Sequence, residues 1–399
     1  MRKHIIFALF VLITLNVYST PKDPKGYLRV VLNNLEKVES ATYNSIKEGW
    51  APGDTAAYII GNSFTKEFNN SFDPTIGASY VSFLQKDTTQ SDFCYDGKMR
   101  AIVYPDKKEI VIDSFNTRIL PFRPLNAPFF NRTKNIIMYA LDTKDSITIK
   151  TIDKKESVYY CFTIYNSKQV EFFGKAFYIE NPFDYGESIS KYEIWMDKST
   201  DLPIKIRREM SHDISVESVS NVILNKINIK DFKASDYFQP EYKIVAYLSG
   251  NREREENNLV GKKAPDWTLM DTNNKTHSLT GLKSKVIMIQ FTSVSCGPCR
   301  VSIPFLNKLT SEYKKEDFDF VAIECTANNL RALQFYQNKS AINYTFLKSV
   351  KAALKDYDIT SFPVFFILDK DHVIKNVFNG YSEEVTDNKI RETINQLMD

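Results

Sequence analysis

The sequence is poor in the residues that build metal centres. Its 399 residues include four histidines and five cysteines. Zinc usually takes four nitrogen or sulfur ligands, and no histidine lies at a spacing that would complete a finger or ribbon with a cysteine pair. The sequence therefore predicts neither a metal ion nor another cofactor. The histidines are His4, His212, His277 and His372.

An excess of one charge is also missing. Lysine and arginine total 52 and aspartate and glutamate 49, so the net charge is only +3. Because nucleic acids are held largely by clustered positive charge, we expect no nucleic-acid partner. Glycine is modest at 13 residues, whereas phenylalanine and tyrosine number 28 and 22. This aromatic content favours β structure over much of the chain.

Only one apolar run suggests contact with a membrane, and it lies at the N-terminus. Arg2 and Lys3 precede apolar residues 5–17, and Val17-Tyr18-Ser19 offers a cleavage site. These features are typical of a secretory signal peptide, here residues 1–19. An uncleaved anchor is the alternative, although the run is short for a transmembrane helix. We expect an exported protein, soluble after cleavage, in the periplasm or cell envelope, where disulfides persist.

Residues 20–248 predict a β-rich domain. Short alternating or aromatic segments follow one another with polar turns between them, as in a mostly antiparallel sheet or open barrel. Helices are expected at 26–43, where apolar residues share one stripe, and around 131–141. Arg207, Arg208 and Glu209 are expected at a solvated strand end. The predicted strands include 80–84, 93–95, 99–104, 109–113, 146–149, 157–162, 191–196 and 204–208.

Residues 192–205 have the pattern of a hairpin: a strand, a polar turn, Leu202-Pro203 and a second strand. This pattern resembles the hairpin of the LolA-like lipoprotein-carrier fold, a curved antiparallel sheet folded over helices. The resemblance implies an apolar concave face that could hold a lipid, an acyl chain or a partner peptide. The alternative is a β domain whose aromatic residues fill its own core.

A second domain is expected at residues 259–399. Residues 249–258 are polar and dense in charge, and we interpret them as a linker. The continuous apolar runs 286–291 and 318–325 are typical of buried parallel strands. Further along the chain, the pattern predicts helices at 330–337, 350–357 and 383–398, and an antiparallel strand pair at 364–368 and 374–378.

Cys296-Gly297-Pro298-Cys299 is the motif that indicates a chemistry. The two thiols lie one helical turn apart, where a predicted strand leads into a helix, and Pro298 suits a helix start. The positive end of the helix favours the thiolate form of Cys296. The motif predicts thiol–disulfide exchange, with Cys296 as the exposed nucleophile and Cys299 as the more buried second thiol. Half of a zinc site and an inert pair are the alternatives.

Several motifs accompany this dithiol: Ala264-Pro265-Asp266, Phe291, Pro304 and Phe362-Pro363. In combination they resemble the exported TlpA/ResA-type thiol–disulfide oxidoreductases, whose opening is shared by the peroxiredoxin-like alkyl hydroperoxide reductase group. The resemblance covers about the last third of the chain. A peroxiredoxin is not expected, since those enzymes place a single peroxidatic cysteine behind a proline and a threonine.

The resemblance implies an α/β thioredoxin-like C-terminal domain after the mostly antiparallel, LolA-like N-terminal domain. It implies that Pro363 is cis and faces the dithiol, and that Gly297, Pro298 and Phe362 support the active site. Pro304 is expected to bend the helix that follows the dithiol, because proline lacks a backbone donor.

The sequence also departs from the family pattern around the dithiol. Ser295 stands where the family has an aromatic residue, and Gln290 and Ser302 stand where its members carry acids that handle protons. Glu324, at the end of the neighbouring strand, is the candidate substitute. Its alternative is a solvated charge at a strand end.

The expected function is that of an exported thiol–disulfide oxidoreductase that reduces disulfides of envelope proteins. Its partners would be protein thiols or disulfides and a membrane-embedded thiol reductant. The alternative is an N-terminal module that binds a lipid or an envelope protein, with an accessory redox domain. Cys94 and Cys161 either form a structural disulfide or stay buried free thiols, and Cys325 is either a buried strand residue or a third redox thiol.

Overall fold

The computed structural model of the protein describes residues 23–84, 89–114, 125–179, 189–247, 258–327 and 329–398. The predicted signal peptide, residues 1–19, and residues 249–257 of the predicted linker lie outside these ranges. In the described part of the chain, no helix has both the length and the apolar character needed to cross a membrane.

The N-terminal region is built around one large sheet. Twelve of its described strands follow the order β14-β6-β5-β4-β3-β2-β1-β13-β12-β11-β8-β7, and all neighbours are antiparallel except β14 and β6. The strands are β1 (Ser40–Trp50), β2 (Ile59–Asn69), β3 (Ala78–Leu84), β4 (Ser91–Tyr95), β5 (Arg100–Tyr104), β6 (Glu109–Asp113), β7 (Ser146–Asp153), β8 (Ser157–Tyr165), β11 (Ile189–Asp197), β12 (Leu202–Glu209), β13 (Ile214–Leu224) and β14 (Lys243–Ala246). A separate two-stranded sheet consists of β9 (Gln169–Phe172) and β10 (Ala176–Ile179).

Two helices cover one part of this sheet. Helix α1 (Pro24–Glu36) and helix α2 (Phe129–Asp142) contact each other, and their buried faces share a core with β8, β11 and β12. The predicted helix around 131–141 and the predicted hairpin at 192–205 are confirmed. The strand order is linear, with β14 and β7 at its ends, and a LolA-like open barrel is not confirmed.

One expectation about this region is wrong, and three of its strands were not predicted. The helix predicted at 26–43 ends at Glu36, and β1 begins at Ser40, because Ala41, Tyr43 and Ser45 alternate inward with the period of a strand. Strands β1, β2 and β13 escaped prediction since their inward positions hold serine, threonine and glutamate as well as apolar residues.

The end of β12 is only partly solvated, in contrast to the solvated strand end expected for Arg207, Arg208 and Glu209: all three are partly buried and form ion pairs. Arg208 binds both carboxylate oxygens of Glu171, and its Nη1 donates to Asp213 Oδ2 over 2.6 Å. Arg207 Nη1 donates to Glu193 Oε2 over 2.7 Å. Glu171 and Glu193 lie 37 and 14 residues from their arginines in the sequence, so the strand pattern alone gave no sign of these two ion pairs.

The C-terminal region is an α/β domain with a seven-stranded sheet in the order β16-β15-β19-β18-β17-β20-β21. Strands β17, β18 and β19 are parallel, and the remaining neighbours are antiparallel. This confirms the thioredoxin-like arrangement. The elements are β15 (Thr268–Asp271), β16 (Thr276–Ser278), β17 (Val286–Thr292), α3 (Gly297–Glu312), β18 (Phe318–Glu324), α4 (Leu330–Lys339), β19 (Thr345–Lys348), α5 (Lys351–Asp356), β20 (Val364–Asp369), β21 (Ile374–Asn379) and α6 (Val385–Met398).

The central strands of this domain are buried on both faces. Every residue of β17 is buried, and its side chains divide between two apolar clusters, one on each side of the sheet. That is why these strands appear in the sequence as continuous apolar runs. The dithiol lies at the carboxyl edge of this buried sheet, where β17 and β18 end.

Candidate active site

The dithiol lies at the turn from β17 into α3. Cys296 is the N-cap of α3, and its Sγ accepts a hydrogen bond from the backbone N–H of Cys299 over 3.1 Å. The two cysteines are joined by a disulfide. Cys299 is 2% exposed, whereas Cys296 is half-buried and Pro298 beside it is exposed. Because Cys296 is the more exposed of the two, an incoming group meets its sulfur first. The helix N-terminus favours the anionic form of that sulfur.

The Phe362–Pro363 peptide is cis, as the family resemblance implies. It directly precedes β20, whose Val364 pairs with Phe291 of β17. Pro363 therefore lies at the same end of the sheet as the loop that leads to Cys296. Its carbonyl oxygen accepts a hydrogen bond from the N–H of Gly380 over 2.7 Å, which ties this segment to the end of β21.

The two positions where the family carries acids hold a neutral, hydrogen-bonded pair. Gln290 and Ser302 are both buried, and Gln290 Nε2 donates to Ser302 Oγ over 3.3 Å. Ser302 Oγ in turn donates to the carbonyl oxygen of Cys299 over 2.7 Å. Neither side chain can exchange a proton near neutral pH.

Glu324 is the buried acid at this edge of the sheet. It ends β18, pairs with Thr292 in the parallel register and is 1% exposed, so the alternative of a solvated strand end is wrong. Its Oε1 accepts from the N–H of Thr326, the hydroxyl of Thr326 and the N–H of Ala327 over 2.7, 2.7 and 2.9 Å. Burial outweighs these hydrogen bonds and raises the pKa of Glu324 to about 7.

The second carboxyl oxygen of Glu324, Oε2, differs from Oε1 in its hydrogen bonding. Among the described residues, no donor makes a well-formed hydrogen bond to buried Oε2, although the backbone N–H of Val294 also acts on this carboxyl and lowers its pKa. A buried carboxylate oxygen without a donor disfavours the charged form, whereas a protonated carboxyl loses little there. Glu324 is therefore a side chain that can change its protonation state within the folded protein.

Three hydroxyl groups connect Glu324 to the residue before Cys296. Thr326 Oγ1 lies 2.8 Å from Ser293 Oγ, and Ser293 Oγ lies 2.9 Å from Ser295 Oγ. Sequence reasoning singled out Ser295 only as a departure from the family pattern and missed Ser293 and Thr326. The two ends of this hydroxyl chain lie on different strand-to-helix loops, so no local spacing could have revealed it.

The N-terminal region also reaches this site. Asn329, the N-cap of α4, donates from its backbone N–H to Asp54 Oδ1 and from Nδ2 to the carbonyl oxygen of Gly53, each over 3.0 Å. Ala51 packs into the same apolar cluster as Val294, two residues before Cys296. Between the two regions lies a cavity of about 390 Å³, lined in part by Pro52, Val294, Ala327 and Phe335.

A second cavity, of about 620 Å³, lies within the N-terminal region. The expected apolar concave surface is not confirmed: this cavity has apolar side chains in its wall, but it also contains the ion pairs of Arg208 with Glu171 and of Arg132 with Glu217. The charged residues in its wall are Lys47, Glu48, Arg100, Arg132, Glu171, Arg208, Asp213 and Glu217.

The remaining cysteines are free thiols. Cys94 and Cys161 are buried and unbonded, so the alternative of a disulfide between them is wrong. Burial raises the pKa of Cys94 to about 12 and holds the pKa of Cys325 well above its usual range. Such thiols are poor nucleophiles. Within the described ranges, no three His, Cys, Asp or Glu side chains are grouped closely enough to hold a metal ion.

Comparison with known proteins assigns the C-terminal region. The Redoxin family model matches residues 259–394. The thiol-disulfide oxidoreductase ResA of Bacillus cereus is 23% identical over 148 residues, which cover 37% of this chain and 84% of ResA. ResA of Geobacillus thermodenitrificans is 26% identical over 121 residues, which cover 30% of this chain and 70% of that ResA. The thioredoxin-like protein YneN of Bacillus subtilis is 28% identical over 124 residues, which cover 30% of this chain and 71% of YneN.

Solved structures similar to this region include a thioredoxin-family thiol:disulfide interchange protein from Chlorobium tepidum. It is 20% identical with a TM-score of 0.31, and the match covers 34% of this chain and 96% of that one. The thioredoxin domain of a thiol-disulfide oxidoreductase from Bacteroides vulgatus is 19% identical with a TM-score of 0.31, and the match covers 34% of this chain and 97% of that one. The C-terminal region therefore carries a Redoxin domain over residues 259–394 and, with the disulfide between Cys296 and Cys299, is a thioredoxin-like thiol–disulfide oxidoreductase that is similar to ResA.

Proposed function

We propose that the protein is an exported oxidoreductase that reduces disulfides of envelope proteins, with Cys296 and Cys299 as its catalytic residues. The observation that carries this proposal is the position of the pair at the N-terminus of α3, with Cys299 buried and Cys296 accessible. Its accessibility supports Cys296 as the thiol that attacks the client, and its burial supports Cys299 as the resolving thiol.

The reaction balances as a two-electron exchange. The Cys296 thiolate attacks one sulfur of the client disulfide, forms a mixed disulfide and releases the other client sulfur as a thiolate that takes up a proton. Cys299 then loses its proton and attacks Cys296 Sγ, which releases the second client thiol and leaves the Cys296–Cys299 disulfide. A dithiol reductant, proposed to be a membrane-embedded thiol carrier, returns two electrons and two protons to the pair.

Glu324 is proposed to exchange the proton of this cycle. Cys299 must be deprotonated before it attacks, and its neighbours Gln290 and Ser302 cannot accept the proton. A buried carboxyl with a pKa of about 7 is suited to accept and return a proton near neutral pH. Its position at the end of β18, beside β17, supports this role.

Four further residues are proposed to support the site. Gly297 and Pro298 form the first turn of α3, and Phe362 and Pro363 precede the strand that pairs with β17. They are proposed to line the approach of an extended client segment to Cys296.

The organisation of the whole chain is part of the proposal. Residues 1–19 would be the signal peptide, 20–248 the N-terminal domain, 249–258 the linker and 259–399 the redox domain. Export to the periplasm or cell envelope fits a protein whose reactive pair works as a disulfide.

The test uses the full chain with Cys299→Ala. We expect clients to accumulate as mixed disulfides on Cys296, because the resolving thiol is gone. Cys325→Ala is the matched control and should trap nothing. Absence of trapped clients, together with failure of the purified wild-type protein to reduce insulin disulfides, would contradict the proposal. The reduction potential of the Cys296–Cys299 pair tests the direction of electron transfer. A value of about −270 mV supports a reductase, and one of about −120 mV supports an oxidant.

A second candidate function is client binding by the N-terminal domain. The charged wall of its 620 Å³ cavity favours a polar peptide over a lipid or acyl chain. Extraction of the purified full chain into organic solvent tests this preference. We expect no stoichiometric lipid, and recovery of one would favour the lipid-carrier alternative.

A further inference from the structure

The cavity beside the dithiol loop is formed by both regions of the chain. The C-terminal region contributes Val294, Ala327 and Phe335 to its wall, and the N-terminal region contributes Pro52 and Ile189. Its volume of about 390 Å³ falls within the range of protein pockets that bind small ligands, and such pockets occur preferentially between domains. The position and size of this cavity therefore make it a candidate binding site.

The wall of the cavity offers an apolar surface. Phe335 is 65% exposed, and no other large apolar side chain in the described part of the C-terminal region is as exposed. The lysines and the glutamate in the wall already have partners: Lys191 Nζ lies 3.2 Å from Glu209 Oε2, and Lys339 Nζ lies 5.4 Å from the centre of the Phe335 ring. An apolar occupant would remove the Phe335 ring from water, whereas a charged occupant would have to compete for these partners.

Contacts between the two regions hold the walls of the cavity in place. Ala51 is buried in an apolar cluster of the C-terminal region. Asn329 donates hydrogen bonds to Gly53 and Asp54, each over 3.0 Å. Gly53 has a φ of 87°, in the left-handed region that favours glycine. Pro52 lies between these anchored residues, so its place in the wall is fixed on both sides.

A client bound to Cys296 can reach the cavity. Val294 and Cys296 are two residues apart, so their Cα atoms are at most about 7.6 Å from each other. A mixed disulfide holds the Cα atom of the client cysteine within about 7 Å of that of Cys296. Because an extended chain advances about 3.3 Å per residue, a client side chain up to about four residues from its cysteine can reach Val294. The client is thus the polypeptide that the reaction itself brings to this cavity.

We propose that the cavity is a subsite of the redox site that takes one large apolar side chain of the client, within about four residues of the attacked cysteine. This inference rests on the proposed function, because it assumes that the client is held on Cys296 as a mixed disulfide. It defines the clients by their chemistry, as polypeptides with an accessible disulfide that is flanked by a large apolar side chain. Since Pro52 and Ile189 belong to the N-terminal region, that region takes part in selecting the client.

The test measures the reduction of peptide disulfides by the reduced full chain. The substrates are symmetrical disulfide dimers of nine-residue peptides, each with a central cysteine in a serine background and a single leucine one to four residues before or after it. Reduction of one dimer gives two peptide thiols and the Cys296–Cys299 disulfide. We expect one leucine position to raise kcat/KM about tenfold over the all-serine peptide, the lower end of what a small apolar group gains in a hydrophobic pocket.

Two variants remove apolar side chains from opposite walls of the cavity. Phe335→Ala should lower the preference for leucine to about threefold, because it removes the most exposed part of the apolar wall. Ile189→Ala should lower it in the same direction from the side of the N-terminal region. Phe72→Ala and Ile152→Ala are the matched controls, since these exposed side chains are not among those that line the cavity, and both should keep the preference at about tenfold.

The preference separates binding in the cavity from the reactivity of the cysteine, because a change in the Cys296 thiol affects the leucine and serine peptides alike. That reactivity is measured as the alkylation profile of Cys296, which is its rate of reaction with iodoacetamide between pH 5 and 10. We expect Phe335→Ala and Phe72→Ala to give the same profile. A profile that shifts in Phe335→Ala alone would assign the residue to the reactivity of the thiol and overturn the inference.

The proposed function and the subsite fail in distinguishable ways. If the wild-type protein reduces neither insulin nor any of the peptides, the oxidoreductase proposal is wrong, and the subsite falls with it. If the wild-type protein reduces every peptide equally well, or if the preference survives unchanged in both Phe335→Ala and Ile189→Ala, only the subsite is wrong.

Discussion

Among the described residues, the N-terminal and C-terminal regions each bury one glutamate with a raised pKa, and the two differ in how their oxygens are bound. Glu67 on β2 is 4% exposed, and both of its oxygens accept: Oε1 from the N–H of Asn131, and Oε2 from the N–H of Phe130 and the hydroxyl of Tyr43. Glu324 collects its donors on Oε1, while no donor among the described residues makes a well-formed hydrogen bond to Oε2. Burial raises the pKa of both carboxyls to about 7.

The difference separates a structural carboxyl from one suited to proton exchange. Glu67 binds the N-terminus of α2 from a neighbouring strand, where an anion complements the free N–H groups and the positive end of the helix. Glu324 has one oxygen without a well-formed hydrogen bond and lies at the end of a chain of hydroxyls that leads to the redox loop. A raised pKa alone therefore does not identify a functional acid, and the oxygen without a well-formed hydrogen bond beside the redox loop is what makes Glu324 the candidate.

The largest effect is expected from removing the structural carboxyl. Glu67→Ala leaves two backbone donors and the Tyr43 hydroxyl buried without their acceptor, which costs about 3–5 kcal/mol of unfolding free energy. Urea denaturation measures this loss. The alkylation profile of Cys296 in native conditions should stay as in wild type. Glu39→Ala, at an exposed glutamate near β1, is the control and should change the stability by less than about 0.5 kcal/mol.

The next effect is the pH dependence of stability that comes from Glu324. The folded-state pKa of Glu324 is about 7 against a usual 4.5, so the native state binds more protons between these values. The stability from this group is complete below pH 4.5 and is lost as the pH rises through 7, by about 3 kcal/mol in total.

Glu324→Gln removes this dependence, because the amide oxygen can keep the donors of Thr326 and Ala327 without titrating. Unfolding experiments from pH 4.5 to 8 should show the variant gaining about 3 kcal/mol relative to wild type across this range. Glu67→Gln is the comparison. It also removes a titration, because the pKa of Glu67 is raised to about 7 as well, but its NH₂ group must meet a donor, so it should be less stable than Glu324→Gln at every pH. A constant difference between Glu324→Gln and wild type would contradict the raised pKa.

A smaller effect is expected where the two domains meet. Asn329 caps α4 through Oδ1, which accepts from Arg331 and Ala332, and it binds Gly53 through Nδ2. Asn329→Ala loses both interactions, and the midpoint of urea denaturation should report a loss of about 1–2 kcal/mol. Asn329→Asp keeps the cap acceptor but not the donor to Gly53. It should therefore retain more stability than Asn329→Ala while still disturbing the loop between β1 and β2.

The smallest change in stability is expected from cutting the hydroxyl chain itself. Ser293→Ala separates Ser295 from Thr326 and should cost about 1 kcal/mol. Ser293→Ala should also uncouple Cys296 from Glu324. In this background the alkylation profile of Cys296 should no longer respond to Glu324→Gln, because the hydroxyl chain between the two residues is interrupted. Ser311→Ala, on the exposed face of α3, is the control. An undiminished response to Glu324→Gln in the Ser293→Ala background would show that the two groups communicate by another route.

The two domains also differ in how well they could be predicted. The strands and helices of the redox domain were predicted almost in full, because its central strands are buried on both faces and appear as continuous apolar runs. In the N-terminal domain β1, β2 and β13 were missed. Those strands carry buried Ser45, Thr65 and Glu217 among their apolar residues, so their pattern does not resemble that of a core strand.

The sequence alone determined the reactive pair and its setting. Cys296 and Cys299 are spaced by one helical turn and follow an apolar strand, and these local relations are enough to place them at a helix N-terminus. The sequence also pointed to Glu324, through the absence of an acid at positions 290 and 302.

Only the tertiary structure decided what Glu324, Thr326 and Ser295 have in common. The burial of Glu324 and the chain of hydroxyls that joins it to the loop before Cys296 depend on contacts between segments far apart in the chain. Hydrogen bonds and desolvation act over a few ångströms in space, whatever the separation in sequence, and so they follow from the fold rather than from any local pattern of residues.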